Sequence, residues 1–189
     1  MKKRIPIIPT VVVAAAVATM VALGFWQLAR KGEKEAMIAR YAQAVEMQAE
    51  VPFPRDTADI PGTLYRRSRV VCDEIIARRT TSGVGPNGEA GLAQIVTCEL
   101  RAGGSSEIAL GLSRSPEPIA WAGGAVQGYV SNAGSGGVRL VAAPPVAGLA
   151  PMARPDPRDL PNNHLPYAVQ WFLFALTAVV IYWLALRRR

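Results

Sequence analysis

Two long stretches without a charged residue lie near the ends of the chain. Residues 5–29 form the first and residues 165–186 the second. A helix needs about 20 apolar residues to cross the hydrocarbon core of a bilayer, and both stretches are long enough. We therefore predict a tail and first transmembrane helix over residues 1–29, and a second transmembrane helix with a basic tail over residues 165–189.

The basic start of the chain is also typical of a cleaved signal peptide. The first uncharged stretch is longer than the apolar region of most signal peptides. The sequence GFWQLARK, residues 24–31, offers no small-x-small cleavage site. These two features favour an uncleaved anchor.

Between the uncharged stretches the pattern changes from helical to β-like. Residues 30–50 are rich in strong helix formers and predict a helical extension of the first span. Residues 51–64 contain prolines and glycines that predict a linker. Residues 65–143 contain five or six short apolar or alternating runs separated by Gly-rich turns, which predict an antiparallel sheet or a small barrel. Residues 144–164 form a Pro-rich return segment.

These elements define the expected fold class. It is an antiparallel hairpin of two transmembrane helices that carries a small antiparallel β domain outside the membrane. The bilayer is then an obligatory partner of the chain.

The net charge of +7 is located almost entirely in the two tails. Residues 30–164 hold 15 basic and 14 acidic residues, so the central part is nearly neutral. This distribution argues against a nucleic-acid-binding face. Basic residues flanking a span mark its cytoplasmic side, which predicts that both termini are cytoplasmic and the central domain is outside. In a bacterium, that arrangement is a multi-pass inner-membrane protein with a periplasmic domain.

The two cysteines, Cys72 and Cys98, both fall in predicted strands of the outer domain. An oxidising compartment permits a disulfide between them, and we favour that pairing. Two buried thiols that never meet are the alternative, because the sequence does not give their separation.

Sequence patterns of catalysis are missing. The chain has no Gly-x-Ser-x-Gly motif, no phosphate-binding Gly loop before a helix, and no paired carboxylates at a suggestive spacing. The sequence therefore predicts a protein that is not an enzyme.

His164, the only histidine, lies at the start of the second uncharged stretch. Pro161 and Pro166 bracket it, and Asn162 or Asn163 is placed to cap the helix. The positive end of the helix dipole favours the neutral imidazole, the form that binds a haem iron. The alternative is a polar histidine that hydrogen-bonds a lipid headgroup or a carbonyl.

Other candidate residues lie at the same predicted depth. Tyr167 and Trp171 follow His164 by three and seven positions, on one helical face. Gln27 and Gln170 are polar residues within the spans, suited to hydrogen bonds across the helix pair or to a ligand. Trp26 is an interfacial aromatic residue of the first span, and Arg30 follows it by one turn.

Two motifs resemble the Surfeit locus protein family, which assists cytochrome c oxidase assembly. The first is a Gly-x-Trp-Gln-x-x-Arg run with a following lysine in LGFWQLARKGEKEAMI, residues 23–38. The second is NNHLPYAVQWFLFALTAVVIYWLALRRR, residues 162–189, which is similar to the family's second-helix motif. YRRSRVV, residues 65–71, resembles the start of the family's outer domain. The matching positions are Gly24, Trp26, Gln27, Arg30, Lys34, Asn163, His164, Leu165, Tyr167, Ala168, Gln170, Trp171 and Phe172.

The resemblance implies a membrane-bound assembly factor that assists the insertion of haem a. In the family the histidine of the second-helix motif is implicated in haem binding, and that position is His164 here. It also implies oxidase subunits as partners, core subunit I first among them. Trp26, Tyr167 and Trp171 are then expected to pack on the porphyrin. Arg30 is expected to pair with a propionate, and Gln27 or Gln170 to donate a hydrogen bond.

The middle of the chain departs from the family pattern. ALGLSRSP, residues 109–116, stands where the family usually has a Val-Asn-Arg-Gly-Trp-like run, and the outer domain is shorter. Two alternatives follow from this departure. One is a stable accessory subunit of a respiratory oxidase or supercomplex, and the other is a membrane-anchored structural module.

Overall fold

The computed structural model describes residues 6–134 and 137–188. The chain divides into two compact units. One consists of the segments up to Ala39 and from Leu160 onwards, and the other is Arg40–Asp159. The helices are α1 (Ile7–Glu46), α2 (Ile60–Thr63) and α3 (His164–Arg188), with a 3₁₀ turn at Pro157–Asp159.

Helices α1 and α3 are long and apolar enough to cross a membrane. Gly32 does not interrupt α1, which continues to Glu46. The helix ends at Glu46, six residues before Pro52, so the restriction that a proline places on its preceding residue does not set this end. A bond from the Met47 amide to the Ala44 carbonyl closes its last turn. Helix α2 is a single turn within the segment predicted as a linker, and the sequence interpretation missed it.

The two long helices pack antiparallel within their unit. Near one end, Gln27 of α1 contacts His164 of α3. Near the other, the hydroxyl groups of Thr10 and Tyr182 are 2.5 Å apart. Between these contacts, Gly24 is buried against Phe172. The prediction of a two-helix hairpin that carries a β domain is confirmed.

The second unit contains a closed five-stranded barrel with the order β1-β2-β3-β5-β4. Its strands are β1 (Arg67–Val84), β2 (Ala90–Leu100), β3 (Ser105–Ser113), β4 (Gly124–Asn132) and β5 (Val138–Ala142). Strand β1 begins within YRRSRVV, at Arg67, and continues as one strand to Val84.

One strand pair corrects the prediction of an antiparallel domain. Strands β3 and β5 are parallel, whereas the other four pairings are antiparallel. The reason is the odd number of strands. Directions cannot alternate all the way round a closed ring of five, so one neighbouring pair must run the same way.

The barrel interior holds the main hydrophobic core, and the disulfide lies within it. Cys72 of β1 and Cys98 of β2 are bonded, which confirms the pairing that we favoured. Both cysteines are at most 2% exposed. The core residues around them are Val70, Val96, Leu100, Ile108, Leu110, Val126, Leu140 and Ala142.

The last turns of α1 belong to the barrel unit. The ring of Tyr41 lies 5.2 Å from that of Tyr65, a buried residue, and Val45 packs on the same cluster. Burial raises the pKa of the Tyr65 hydroxyl above its ordinary value. Arg154, from the return segment, donates to the Val45 carbonyl and lies over the ring of Tyr129. A cation at the carboxyl end of a helix stabilises it, so these contacts fasten the end of α1 to the barrel.

Candidate functional site

Gln27 of α1 and His164 of α3 meet directly through their polar side chains. Nδ1 of His164 lies 2.7 Å from Oε1 of Gln27. An amide oxygen only accepts hydrogen bonds, so Nδ1 carries the proton and donates it. In a neutral imidazole with its proton on Nδ1, Nε2 keeps the lone pair. In that tautomer the hydrogen bond to Gln27 occupies Nδ1, and the lone pair is on Nε2.

The helical repeat explains why these two residues meet. The less exposed positions of each helix recur at alternating spacings of three and four, as they do along the seam between two packed helices. Gln27 and His164 lie on these seams near the same end of the helix pair. The seam positions are Thr10, Val13, Val17, Met20, Gly24, Gln27 and Lys31 in α1, and His164, Ala168, Trp171, Ala175, Ala178 and Tyr182 in α3.

The predicted aromatic residues have different environments. Trp26 and Tyr167 are 53% and 54% exposed, which leaves both rings open to a ligand or to lipid. Trp171 is half-buried, and its ring meets that of Phe174 edge-on at 6.2 Å. Trp171 therefore packs within the helix unit, two turns after His164 and on the same face of α3.

Two other predicted residues are not joined to His164. Arg30 forms an exposed ion pair with Glu33, with 2.5 Å between Nη1 and Oε2. Gln170 is exposed and lies six positions after His164. At 3.6 residues per turn, that spacing places it roughly 120° around the helix from the histidine. Gln27 is thus the glutamine that contacts His164.

The start of α3 differs from the expected cap. The helix begins at His164 itself. The side-chain oxygen of Asn162 is buried and has no hydrogen-bond partner, so it does not cap the helix. In the described part of the chain, Asn163 makes no side-chain hydrogen bond either.

The sequence interpretation missed the packing role of Gly24. A Cβ atom added at Gly24 would lie 2.6 Å from Cε1 and Cζ of Phe172. Phe172 also meets Phe25 edge-on, with ring centroids 5.4 Å apart. The signal was present, because a glycine in an apolar membrane helix often marks a close helix contact.

The chain supplies few metal ligands besides His164. Both cysteines are in the disulfide. Within residues 6–134 and 137–188, no group of three or more His, Cys, Asp or Glu side chains is arranged to hold a metal ion. His164 Nε2 suits a single axial ligand to a haem iron better than it suits a bare metal ion, because a structural metal site needs about four ligands.

These features describe a protein with two membrane-type helices, a disulfide-bonded barrel domain and one positioned histidine. Residues 14–74, about a third of the chain, match the SURF1 family model. The match confirms the resemblance to the Surfeit locus family over that stretch, which includes Gly24, Trp26 and Gln27. The family is known for cytochrome c oxidase assembly, and its members are assembly factors rather than enzymes. No curated protein matches the chain.

Proposed function

We propose that this protein assists the assembly of cytochrome c oxidase by holding haem a at His164. The observation that carries the proposal is the hydrogen bond between Gln27 and His164. It joins the two motifs on which the family resemblance was based, one from each long helix. Gln27 lies inside the stretch that matches the family model, so the bond links that stretch to the histidine.

The residues present fit a haem group bound through one histidine. Gln27 holds the proton on Nδ1 and leaves the lone pair of Nε2 for the iron. Haem a, when bound, supplies the redox-active iron that the oxidase needs. A single protein ligand would suit a carrier that must release the group.

The residues near His164 suit the apolar porphyrin ring better than its propionates. Trp26 and Tyr167 expose ring surface that can pack on a porphyrin. Arg30 is already paired with Glu33, so it binds a propionate only by sharing or exchanging that partner. Gln170 faces another side of α3, and we assign it no contact with the group.

The partner we propose is the oxidase core, with its haem-carrying subunit I as the acceptor. Deletion of the gene is expected to lower the amount of assembled haem-copper oxidase in membranes while other respiratory complexes are spared. Complementation with the His164→Ala variant is expected to leave oxidase at the deletion level. Gln170→Ala, a change on the same helix but on another side, is expected to restore it.

Oxidase levels and the abundance of each variant are measured in the same membranes. A normal amount of assembled oxidase in the deletion strain would refute the proposal. The remaining interpretation would then be a membrane-anchored structural module. Copurification of the protein with finished oxidase through several columns would instead identify a permanent accessory subunit.

We further propose that both termini are cytoplasmic and that residues 30–164 lie outside the bacterial inner membrane. Two observations support this arrangement, the basic tails and the disulfide, which forms in oxidising compartments. A reporter enzyme active only outside the membrane is inserted at Asn87, in the turn between β1 and β2, and in a second fusion after residue 189. We expect activity only from the Asn87 fusion. Activity from the C-terminal fusion alone would reverse the topology.

A further inference from the structure

A cavity of about 1000 Å³ lies in the barrel unit. It opens between the segment Pro52–Thr57, the start of β1 and the hairpin that joins β2 to β3. Its apolar lining comes from Phe53, Ile60, Val70, Leu100 and Val138, of which Val70 and Leu100 belong to the barrel core. The size and the apolar lining are those of a small-molecule site, and the proposed function makes no use of it.

Three arginines line the cavity, and two of them have no acidic partner. Arg101 is held by Asp73. In the described ranges 6–134 and 137–188, neither Arg55 nor Arg69 forms an ion pair. The guanidinium of Arg69 donates to the amide oxygen of Gln127, a neutral partner that leaves its charge uncompensated.

The carboxylates at the cavity do not cancel this positive charge. Glu107 forms ion pairs with both Arg79 and Arg139. These three side chains together carry one net positive charge. Asp56 offsets only one of the two unpaired arginines. The lining of the cavity therefore combines apolar residues with an excess of arginines over carboxylates.

We propose that this cavity binds an anionic amphiphile, a molecule with a carboxylate or phosphate head on an apolar chain. Guanidinium groups bind such oxyanions by paired, charge-assisted hydrogen bonds, and Thr57 and Ser105 add hydroxyl donors at the wall. The apolar chain packs against Phe53 and Leu100. Both a free fatty acid and the head of an anionic phospholipid have this chemistry.

The test uses the full chain in phosphatidylcholine nanodiscs, and radiolabelled octanoate is the probe. Equilibrium dialysis measures its binding, with binding to empty discs subtracted. We expect one saturable site. Octanol, the neutral match, is expected to bind at least tenfold more weakly because it forms no charge-assisted hydrogen bond.

Three variants separate the cavity from general charge effects. Arg55→Ala combined with Arg69→Ala is expected to raise the Kd for octanoate at least tenfold. Thr57→Trp, which fills the cavity without a change of charge, is expected to abolish saturable binding. Arg114→Ala removes an exposed arginine that does not line the cavity, and it is expected to bind as the unchanged protein does.

Three results would overturn the proposal. They are no saturable binding, equal affinity for octanol and octanoate, and unchanged affinity in the double arginine variant with an intact circular dichroism spectrum. Adding phosphatidylglycerol to the discs distinguishes the two sources of ligand. Displacement of octanoate identifies a phospholipid head, and full retention identifies a free amphiphile.

Discussion

Removal of the disulfide is expected to lower the free energy of unfolding of the barrel domain by about 3.5 kcal/mol. The bond joins residues 26 positions apart in the sequence. In the chain-entropy account, a crosslink of that span removes conformational freedom from the unfolded chain and so stabilises the folded state. Loss of this much is a large part of the stability of a small domain.

The measurement is urea unfolding of the Cys72→Ala, Cys98→Ala double variant, followed by circular dichroism. Changing both residues avoids a lone buried thiol. The unchanged protein under a strong reductant is the matched control and is expected to lose a similar amount. A loss below about 1 kcal/mol in both samples would show that the barrel core, rather than the crosslink, supplies the stability.

Replacement of Gly24 by leucine is expected to force the helix pair apart where Gly24 meets Phe172. Even a Cβ atom would lie 2.6 Å from the ring of Phe172, and a leucine adds three more carbon atoms in the same direction. Overpacking of this kind typically destabilises by about 1–3 kcal/mol. Because His164 and Gln27 depend on the same helix contact, their hydrogen bond is expected to be lost as well.

Two matched variants isolate that effect. Gly32→Leu places the same side chain on the same helix, where an added Cβ meets nothing within 4 Å, and it is expected to be tolerated. Gly24→Leu combined with Phe172→Ala makes room for the new side chain and is expected to recover part of the loss. The unfolding midpoint of each variant is measured in detergent. Equal destabilisation by the changes at Gly24 and Gly32 would contradict the packing described for α1 and α3.

The hairpin and the β-like nature of the central domain could be predicted because local patterns encode them. The uncharged stretches are long, and the Gly-rich turns recur between short apolar runs. The parallel pairing of β3 and β5 could not be predicted in the same way, because it depends on barrel closure, a property of all five strands together. The length of β1 could not be predicted for a similar reason. It depends on two pairing partners, because β2 and β4 each pair with only part of the strand.

The candidate site was predictable as a set of residue types but not as a set of contacts. The single histidine and the polar residues of the spans were visible in the sequence. Which glutamine meets His164 depends on how the two helices face each other, a contact between residues 137 positions apart. The pairing of Arg30 with Glu33 has the ordinary spacing of helical ion pairs and was overlooked in favour of a ligand contact.

The most direct test of the central claim is the visible absorption spectrum of the purified protein from a host that makes haem a. The unchanged protein is expected to show a Soret band. His164→Ala is expected to abolish or shift that band while membrane insertion and abundance stay normal. Gln27→Leu, which removes the acceptor for Nδ1, is expected to weaken or shift it, and Gln170→Leu to leave it unchanged. A His164→Ala protein with the same haem content and the same spectrum as the unchanged protein would contradict the account.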